Sequence, residues 1–99
     1  MDFEWDPRKD AQNQAKHGVS FDEGSTVFGD RLAMTGIDEK HSHHELREIT
    51  IGLSHQGRLQ VVTHTQRHER IRIINARQAT PRERRFFEEN AGHGNGRPA

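Results

Sequence analysis

The stretch RIRIINAR, residues 70–77, begins by alternating arginine with isoleucine, which predicts a β-strand with one apolar face and one cationic face. Period-two alternation places every second side chain on the same side of a sheet, so the isoleucines are expected to enter the core. The arginines then present guanidinium groups held on a rigid element. This strand therefore predicts both where the core lies and where a functional surface lies.

The segments around this strand predict an α+β domain with the element order β-α-α-β-β-β-β-α. Asp6-Pro7 and Thr80-Pro81 are helix starts, and Ser20-x-x-Glu23 is the pattern of a reciprocal capping box. The sheet is expected to be an antiparallel meander packed by two N-terminal helices and one C-terminal helix. The predicted helices span residues 6–17, 20–28 and the segment after residue 80, and the predicted strands span residues 3–5, 31–35, 47–53, 59–65 and 70–77.

Length and composition bound the organisation of the chain. Its 99 residues predict a single domain over residues 1–90, followed by a Gly-rich, flexible tail over residues 91–99. The absence of cysteine excludes a disulfide framework and a thiolate metal site. No apolar run approaches the length of a membrane helix and the start is unlike a signal peptide, so a cytoplasmic protein is expected by elimination.

A formal net charge of zero hides an asymmetry along the chain. Residues 58–99 contain nine arginines, no lysine and four glutamates, whereas residues 1–30 are dominated by acids. Arginine is the side chain suited to planar, two-pronged contact with phosphate. Composition leaves two interpretations open, an ordinary solvated surface or a binding site for a polyanion.

Ordered motifs between residues 3 and 88 resemble the BrnT family of bacterial type II toxins. These motifs are Phe3-x-Trp5-Asp6, Asn13-x-x-Lys16-His17-Gly18-Val19-x-Phe21, Glu45-x-Arg47, Gly52-x-Ser54, His64-Thr65-x-Arg67, the block from Arg70 to Thr80, and Glu83-Arg84. The resemblance implies a RelE-like fold, ribonuclease activity and inhibition by a DNA-binding BrnA-type antitoxin in a hetero-oligomer. Gly24 departs from the pattern, because alanine is expected there.

The strand arginines suit RNA cleavage that needs no metal. Such cleavage uses the neighbouring 2′-hydroxyl as nucleophile and needs a base, an acid and cations that hold the charge on phosphorus. Arg72 and Arg77 are candidates for those cations. Strict alternation puts them on opposite faces, so they share a site only if Arg77 bends past the strand end. Bracing the last helix is the alternative role for Arg77.

Three further residues are candidate catalytic groups. His64 ends a strand expected beside residues 70–77 and titrates near neutral pH, although a half-buried polar residue closing a hairpin is an alternative. Glu45 and Arg47, two residues apart on an extended segment, are predicted to serve as proton acceptor and phosphate clamp. A structural ion pair with the strand arginines is the alternative for both.

The predicted RNA-binding residues are basic side chains outside this catalytic set: Lys16, Arg58, Arg67 and Arg70. Lys16 also has a structural explanation, because positive charge is favoured at a helix C-terminus. The cluster His41-Ser42-His43-His44 resembles a zinc or nickel site, but a solvated loop is the favoured interpretation. No cofactor and no metal are therefore expected.

Together these features predict a toxin endoribonuclease that cleaves RNA without metal, inhibits growth and is neutralised by a BrnA-type antitoxin. The alternative is a non-catalytic binding subunit whose arginines serve an acidic protein partner or nucleic acid.

Overall fold

The structure is a computed structural model that describes residues 1–92, so the predicted tail lies outside it apart from Ala91 and Gly92. Five strands and three α-helices follow the predicted order, with a 3₁₀ helix Thr26–Gly29 after the second α-helix and another, Glu39–His41, before the third strand. The elements are β1 Asp2–Glu4, α1 Pro7–His17, α2 Phe21–Ser25, β2 Met34–Ile37, β3 Arg47–Leu53, β4 Leu59–Arg67, β5 Arg70–Gln78 and α3 Pro81–Asn90. None of the helices in this part of the chain is long and apolar enough to cross a membrane.

The sheet has the order β1-β5-β4-β3-β2 and is mostly antiparallel. Strands β2 to β5 form the predicted meander, while β1 adds to it in parallel, with Phe3 opposite Ile71. The α+β prediction is confirmed, and the parallel edge strand is a feature that the sequence did not predict.

The cap signals predicted the helix starts well, whereas the predicted start of the second strand is wrong. Asp6 accepts a hydrogen bond from the Arg8 amide at 2.9 Å, and α1 ends at Gly18 with φ +68°. Thr80 and Glu83 form a complete capping box at the start of α3. The second strand begins at Met34 rather than residue 31, because the Asp30 side chain accepts from the Leu32 amide and forms a turn there.

The second predicted helix is shorter than expected, and its capping box is incomplete. Ser20 accepts from the Glu23 amide at 3.0 Å, but the Glu23 carboxylate turns into the core instead of returning to Ser20. The α-helix ends at Ser25. Gly24 has a packing reason, since a Cβ there would lie 3.1 Å from the Ala76 Cβ.

A register shift divides β5 into two halves. Thr63 lies opposite Asn75, and His64 lies opposite Ile73, so Ile74 has no partner in β4. This extra residue is a β-bulge, and it reverses the alternation of side chains after it. Ile73 and Ala76 can therefore both be buried in the same core although they are three positions apart, an odd spacing that strict alternation would place on opposite faces.

The two faces of the sheet carry different cores. The first lies under α2 and the first 3₁₀ helix and contains Val19, Phe21, Val27, Val62, Ile73 and Ala76. The second, smaller core lies under α3 and contains Ile51, Leu59, Val61 and Phe87. We refer to these two sides as the helix-pair face and the α3 face.

Asn13 of α1 fastens the helix to the outer edge of β5. Its amide nitrogen donates to the carbonyl oxygens of Ala76, at 2.6 Å, and Val19, at 2.8 Å. Its oxygen accepts from the Ala76 amide at 3.2 Å. Because β1 pairs with β5 only as far as Arg72, Asn13 satisfies backbone groups of β5 beyond the end of β1.

Replacing Asn13 with Ala should lower the free energy of unfolding by about 2–4 kcal/mol, because buried backbone groups lose their partners. Replacing the exposed neighbour Gln12 with Ala should change it by less than about 0.5 kcal/mol. Urea denaturation of both variants measures the difference, and equal stability of the two would refute the role of Asn13.

Candidate active site

A row of polar side chains crosses the open part of the α3 face. Arg72 lies opposite Glu4 of β1 on one side and opposite Thr65 of β4 on the other, and Thr65 lies opposite Arg47 of β3. Directly opposed residues point to the same side of a sheet, so the two arginines flank Thr65 at about 10 Å from each other, two strand spacings. We call this surface the arginine face.

Glu45 lies at the β3 end of this row. Its Oε1 is 3.8 Å from Nε of Arg47, close enough for an ion pair but too far for a hydrogen bond. Arg47 Nε is shielded from solvent and has no hydrogen-bond partner within residues 1–92. Glu45 and Arg47 therefore meet as the spacing of two predicted, and the rest of the Arg47 side chain, 33% exposed, stays accessible to a ligand.

Arg72 and Arg77 are both held by glutamates. Arg72 Nη1 donates to Glu4 Oε2 at 2.9 Å. Arg77 donates from both terminal nitrogens to Glu83, at 2.7 and 2.8 Å. Its contact with the first turn of α3 matches the bracing role that the sequence left open for it.

The bulge corrects the expectation that strict alternation separates these two arginines. Arg72 lies opposite Thr65 and Arg77 opposite Val61, and these β4 residues are four apart, so both arginines lie on the α3 face. Arg77 reaches that face without bending past the strand end. It lies about 13 Å along the sheet from the row of Arg72, the length of four strand residues.

Arg67 and Arg70 extend the arginine face to the end of the β4–β5 hairpin. They lie opposite each other, both exposed, one step beyond the row of Arg72. The two-residue turn between them contains His68, whose φ of +55° is left-handed. The structure thus brings Glu45, Arg47, Arg67, Arg70 and Arg72 onto one surface, with Arg77 at its far end.

His64 lies on the helix-pair face, away from the arginines. It is 5% exposed, its ring packs edge-on to Phe28 with centroids 4.8 Å apart, and Nε2 lies 2.8 Å from Thr50 Oγ1. Burial lowers the pKa of the imidazole, which therefore stays neutral near pH 7. This geometry matches the buried polar alternative and provides no direct contact with a ligand on the arginine face.

Arg58 is bound to a buried carboxylate. Glu23 accepts hydrogen bonds from Arg58, from Ser54 at 2.7 Å and from Gln60 at 2.6 Å. The Arg58 guanidinium holds the pKa of Glu23 below its usual value. Arg58 thus joins α2 to the β3–β4 hairpin and is not part of the arginine face.

Lys16 and the histidine cluster also lie elsewhere. Lys16 is exposed on α1 and lines a separate hollow with Lys9 and Asn75. His41 Nδ1 lies 2.9 Å from Asp38 Oδ2. Over residues 1–92, no group of three or more His, Cys, Asp or Glu side chains is arranged to hold a metal ion.

Sequence reasoning missed the acids that hold the arginines. Glu4 comes next to Arg72 through parallel pairing of segments 68 residues apart, for which no local pattern exists. Glu83 stands three residues after Thr80, the capping-box position, and the Thr80 amide donates to its Oε1 at 2.9 Å, but the same carboxylate also binds Arg77. Only for Glu83 did the sequence contain a signal, the capping box itself.

Fold and site together describe a small α+β protein with a row of arginines on one sheet face, and arginine is a side chain suited to contact with phosphate. A family model described as the ribonuclease toxin BrnT of type II toxin–antitoxin systems matches residues 5–83. The chain belongs to this family, which confirms the resemblance of the sequence motifs. Membership implies ribonuclease activity and an antitoxin partner.

The fold agrees with a solved structure of the same family. The crystal structure of the Brucella abortus ribonuclease toxin BrnT matches with a TM-score of 0.63 at 23% identity, over 81% of this chain and 97% of that chain. At this identity the likeness shows the fold alone. No curated protein sequence matches the chain.

The Arg77–Glu83 pair should make stability depend on pH. Arg77 lowers the pKa of Glu83 from 4.5 to about 2, so the stabilisation is present above pH 4.5 and is lost as pH falls toward 2. Glu83→Gln should melt several degrees below wild type at neutral pH, and this gap should close with acidification. Thermal scans across that pH range measure the gap in melting temperature.

Glu88→Gln, whose partner Arg84 is 4.0 Å away and exposed, is the control and should show a small gap throughout. A pH-independent gap for Glu83→Gln would contradict the assignment.

Proposed function

We propose that this chain is an endoribonuclease that cleaves RNA on the arginine face without a metal ion, and that a BrnA-type antitoxin neutralises its growth-inhibiting activity in the cytoplasm. The observation that carries the proposal is the row of Arg72, Thr65 and Arg47 with Glu45 at its end. Cations on neighbouring strands are held more firmly than cations on loops, which favours stabilisation of a charged transition state.

The proposed reaction is an internal transfer at phosphorus. The Glu45 carboxylate takes the proton of the ribose 2′-hydroxyl, and the 2′-oxygen forms a bond to the adjacent phosphorus. The bond from phosphorus to the 5′-oxygen breaks, and that oxygen takes a proton from solvent. The products are a 2′,3′-cyclic phosphate and a 5′-hydroxyl, with no oxidant or co-substrate consumed.

Each arginine has a role that follows from its position. Arg47 and Arg72, on either side of Thr65, hold the phosphate oxygens as negative charge develops on them. Arginine keeps its proton at neutral pH, so these side chains act as cations and not as acids. Arg67 and Arg70 contact neighbouring phosphates along the strand, and Arg77 supports the far end of the face through Glu83.

The remaining predicted residues take indirect roles in this proposal. Buried His64 supports the sheet beneath the site, and Arg58 supports the β3–β4 hairpin. Lys16 lies outside the arginine face. Proton transfer is therefore assigned to Glu45, which is accessible and adjacent to a cation.

Replacing Arg72 with Ala should lower the cleavage rate by about 10²–10³-fold, as for the loss of one preorganised donor, and Lys should restore only part of it. Glu45→Gln should lower the rate by about 10²–10⁴-fold. Arg77→Ala should lower both the melting temperature and the rate, because the Glu83 pair is lost.

Rates on single-stranded RNA and melting temperatures, measured on the same preparations, separate catalytic from structural effects. The matched control is Arg8→Ala on α1, where the guanidinium is 3.9 Å from Asp6 and exposed. Full activity of Arg72→Ala and Glu45→Gln would sink the proposed site and leave the arginines as contacts for a partner.

Cleavage should persist in EDTA, because the proposed chemistry uses only side chains and the 2′-hydroxyl. A time course on single-stranded RNA with and without chelator checks this. Activity lost in EDTA and restored only by a divalent ion would refute metal independence.

A further inference from the structure

An apolar groove runs across the α3 face from the middle of the sheet to its edge. Two hollows of about 360 and 280 Å³ form it, and they share Ile49, Ile51 and Phe86. Its inner end is lined by Val61 and its outer end by Met34 of β2. Phe86 is 51% exposed. This groove is distinct from the arginine face and has no role in the cleavage chemistry.

The groove leaves apolar side chains exposed in a chain that has few of them, since only 29% of its residues are hydrophobic. Exposed apolar patches beside polar rims mark protein interaction sites. The outer side of β2 also ends the sheet, so its backbone edge is open to a pairing partner. A groove that crosses three strands, β4, β3 and β2, is about 10–15 Å long and accommodates roughly two turns of a helix.

We infer that this groove is the docking site for an amphipathic, acidic segment of the antitoxin. The inference rests on the part of the proposed function that assigns an antitoxin partner, and not on the cleavage mechanism. The apolar residues of this antitoxin segment would pack on Phe86 and Ile49, and its acidic residues would contact the arginines on the rim of the groove.

Charge on the rim supports this occupant. Arg82 and Arg85 flank Phe86, and no carboxylate of the described chain lies within ion-pair distance of either. Glu83 is already engaged by Arg77, and Glu89 is the remaining acid beside Phe86. The rim therefore carries an excess of positive charge that an acidic segment would complement.

Two other occupants fit less well. A second copy docked through the same groove about a two-fold axis would bring Arg82 and Arg85 toward their own equivalents, and like charges in contact are unfavourable. A nucleobase would find a ring to stack on in Phe86, but the groove floor of Ile49, Ile51 and Val61 lacks the donors and acceptors that read base edges.

The position of the groove also explains how its occupant would inhibit the toxin. The inner end at Val61 lies directly opposite Arg77 in the sheet. A segment filling the groove would lie against the Arg77–Glu83 pair, and at Ile49 it would lie two residues from Arg47 on the same face of β3, where it would obstruct the arginine face. Binding energy would come from the apolar groove, and inhibition from its closeness to the arginines.

The test measures the affinity of the purified chain for the purified small protein encoded beside its gene, by calorimetry. Phe86→Ala should weaken binding by at least about 30-fold, as for a buried aromatic hot spot. Arg82→Ala should weaken it less and reduce the effect of added salt. The matched control is Leu32→Ala, a residue exposed to 44% in the turn before β2, which should bind within about threefold of wild type.

Further measurements on the same variants decide among occupants. Phe86→Ala should have the melting temperature and the cleavage rate of wild type. Because the affinity for the neighbouring protein is measured without a cleavage assay, the docking test remains valid even if the chain does not cleave RNA. The inference is overturned if Phe86→Ala binds normally or if the neighbouring protein does not bind. It is also overturned if the free chain is a dimer that Phe86→Asp makes monomeric, or if Phe86→Ala loses RNA affinity instead.

Discussion

Ile74, the one residue of β5 between Arg70 and Gln78 without a partner in β4, determines which side chains of that strand enter the core and which face the open side of the sheet. Before the bulge, Ile73 is buried and Arg72 faces the open side; after it, Ala76 is buried and Arg77 faces that same open side. Without the extra residue, one of the two halves would place its arginine in the core. Asn13 bonds both backbone groups of Ala76, so the bulge is held from α1, across 63 residues of sequence. Core and cationic surface are therefore two consequences of one backbone irregularity.

The net charge is zero because 15 acidic residues balance 15 basic ones, and several of these form ion pairs between distant parts of the sequence. Glu4 and Glu23 belong to the acidic N-terminal third, and they pair with Arg72 and Arg58 of the arginine-rich half. Folding thus brings the acidic N-terminal third of the chain into contact with its arginine-rich C-terminal part. Each partly buried pair fixes a guanidinium in one orientation while leaving other donors of its fork available. Within residues 1–92, Arg67 and Arg70 form no ion pair within 4.0 Å, although Asp2 lies opposite Arg70 and Glu69 lines the same hollow.

The sequence predicted what depends on local spacing. The caps at Asp6, Ser20 and Thr80 placed all three helix starts, because a cap is a contact between residues at most three apart. The sequence could not predict the Glu4–Arg72 pair, because the parallel pairing of β1 with β5 depends on the complete sheet. The sequence also could not predict on which face of the sheet His64 lies. Alternation shows which residues of a strand share a face, but not which of the two faces that is. Family motifs identified the class of protein, whereas the placement of individual side chains required the fold.

Catalysis and inhibition make different demands on a small toxin, and under the two proposals the α3 face meets them with separate chemistry. Phosphate recognition needs charges that stay accessible to solvent and salt, as Arg67 and Arg70 do. Tight protein recognition needs apolar surface that can be fully dehydrated, as around Phe86 and Ile49. Within α3, Glu83 in the first turn holds Arg77, and Phe86 one turn later lines the groove. Ile49 of the groove lies two residues from Arg47 on the same face of β3, so under these proposals RNA and antitoxin are expected to exclude each other without sharing their main contacts.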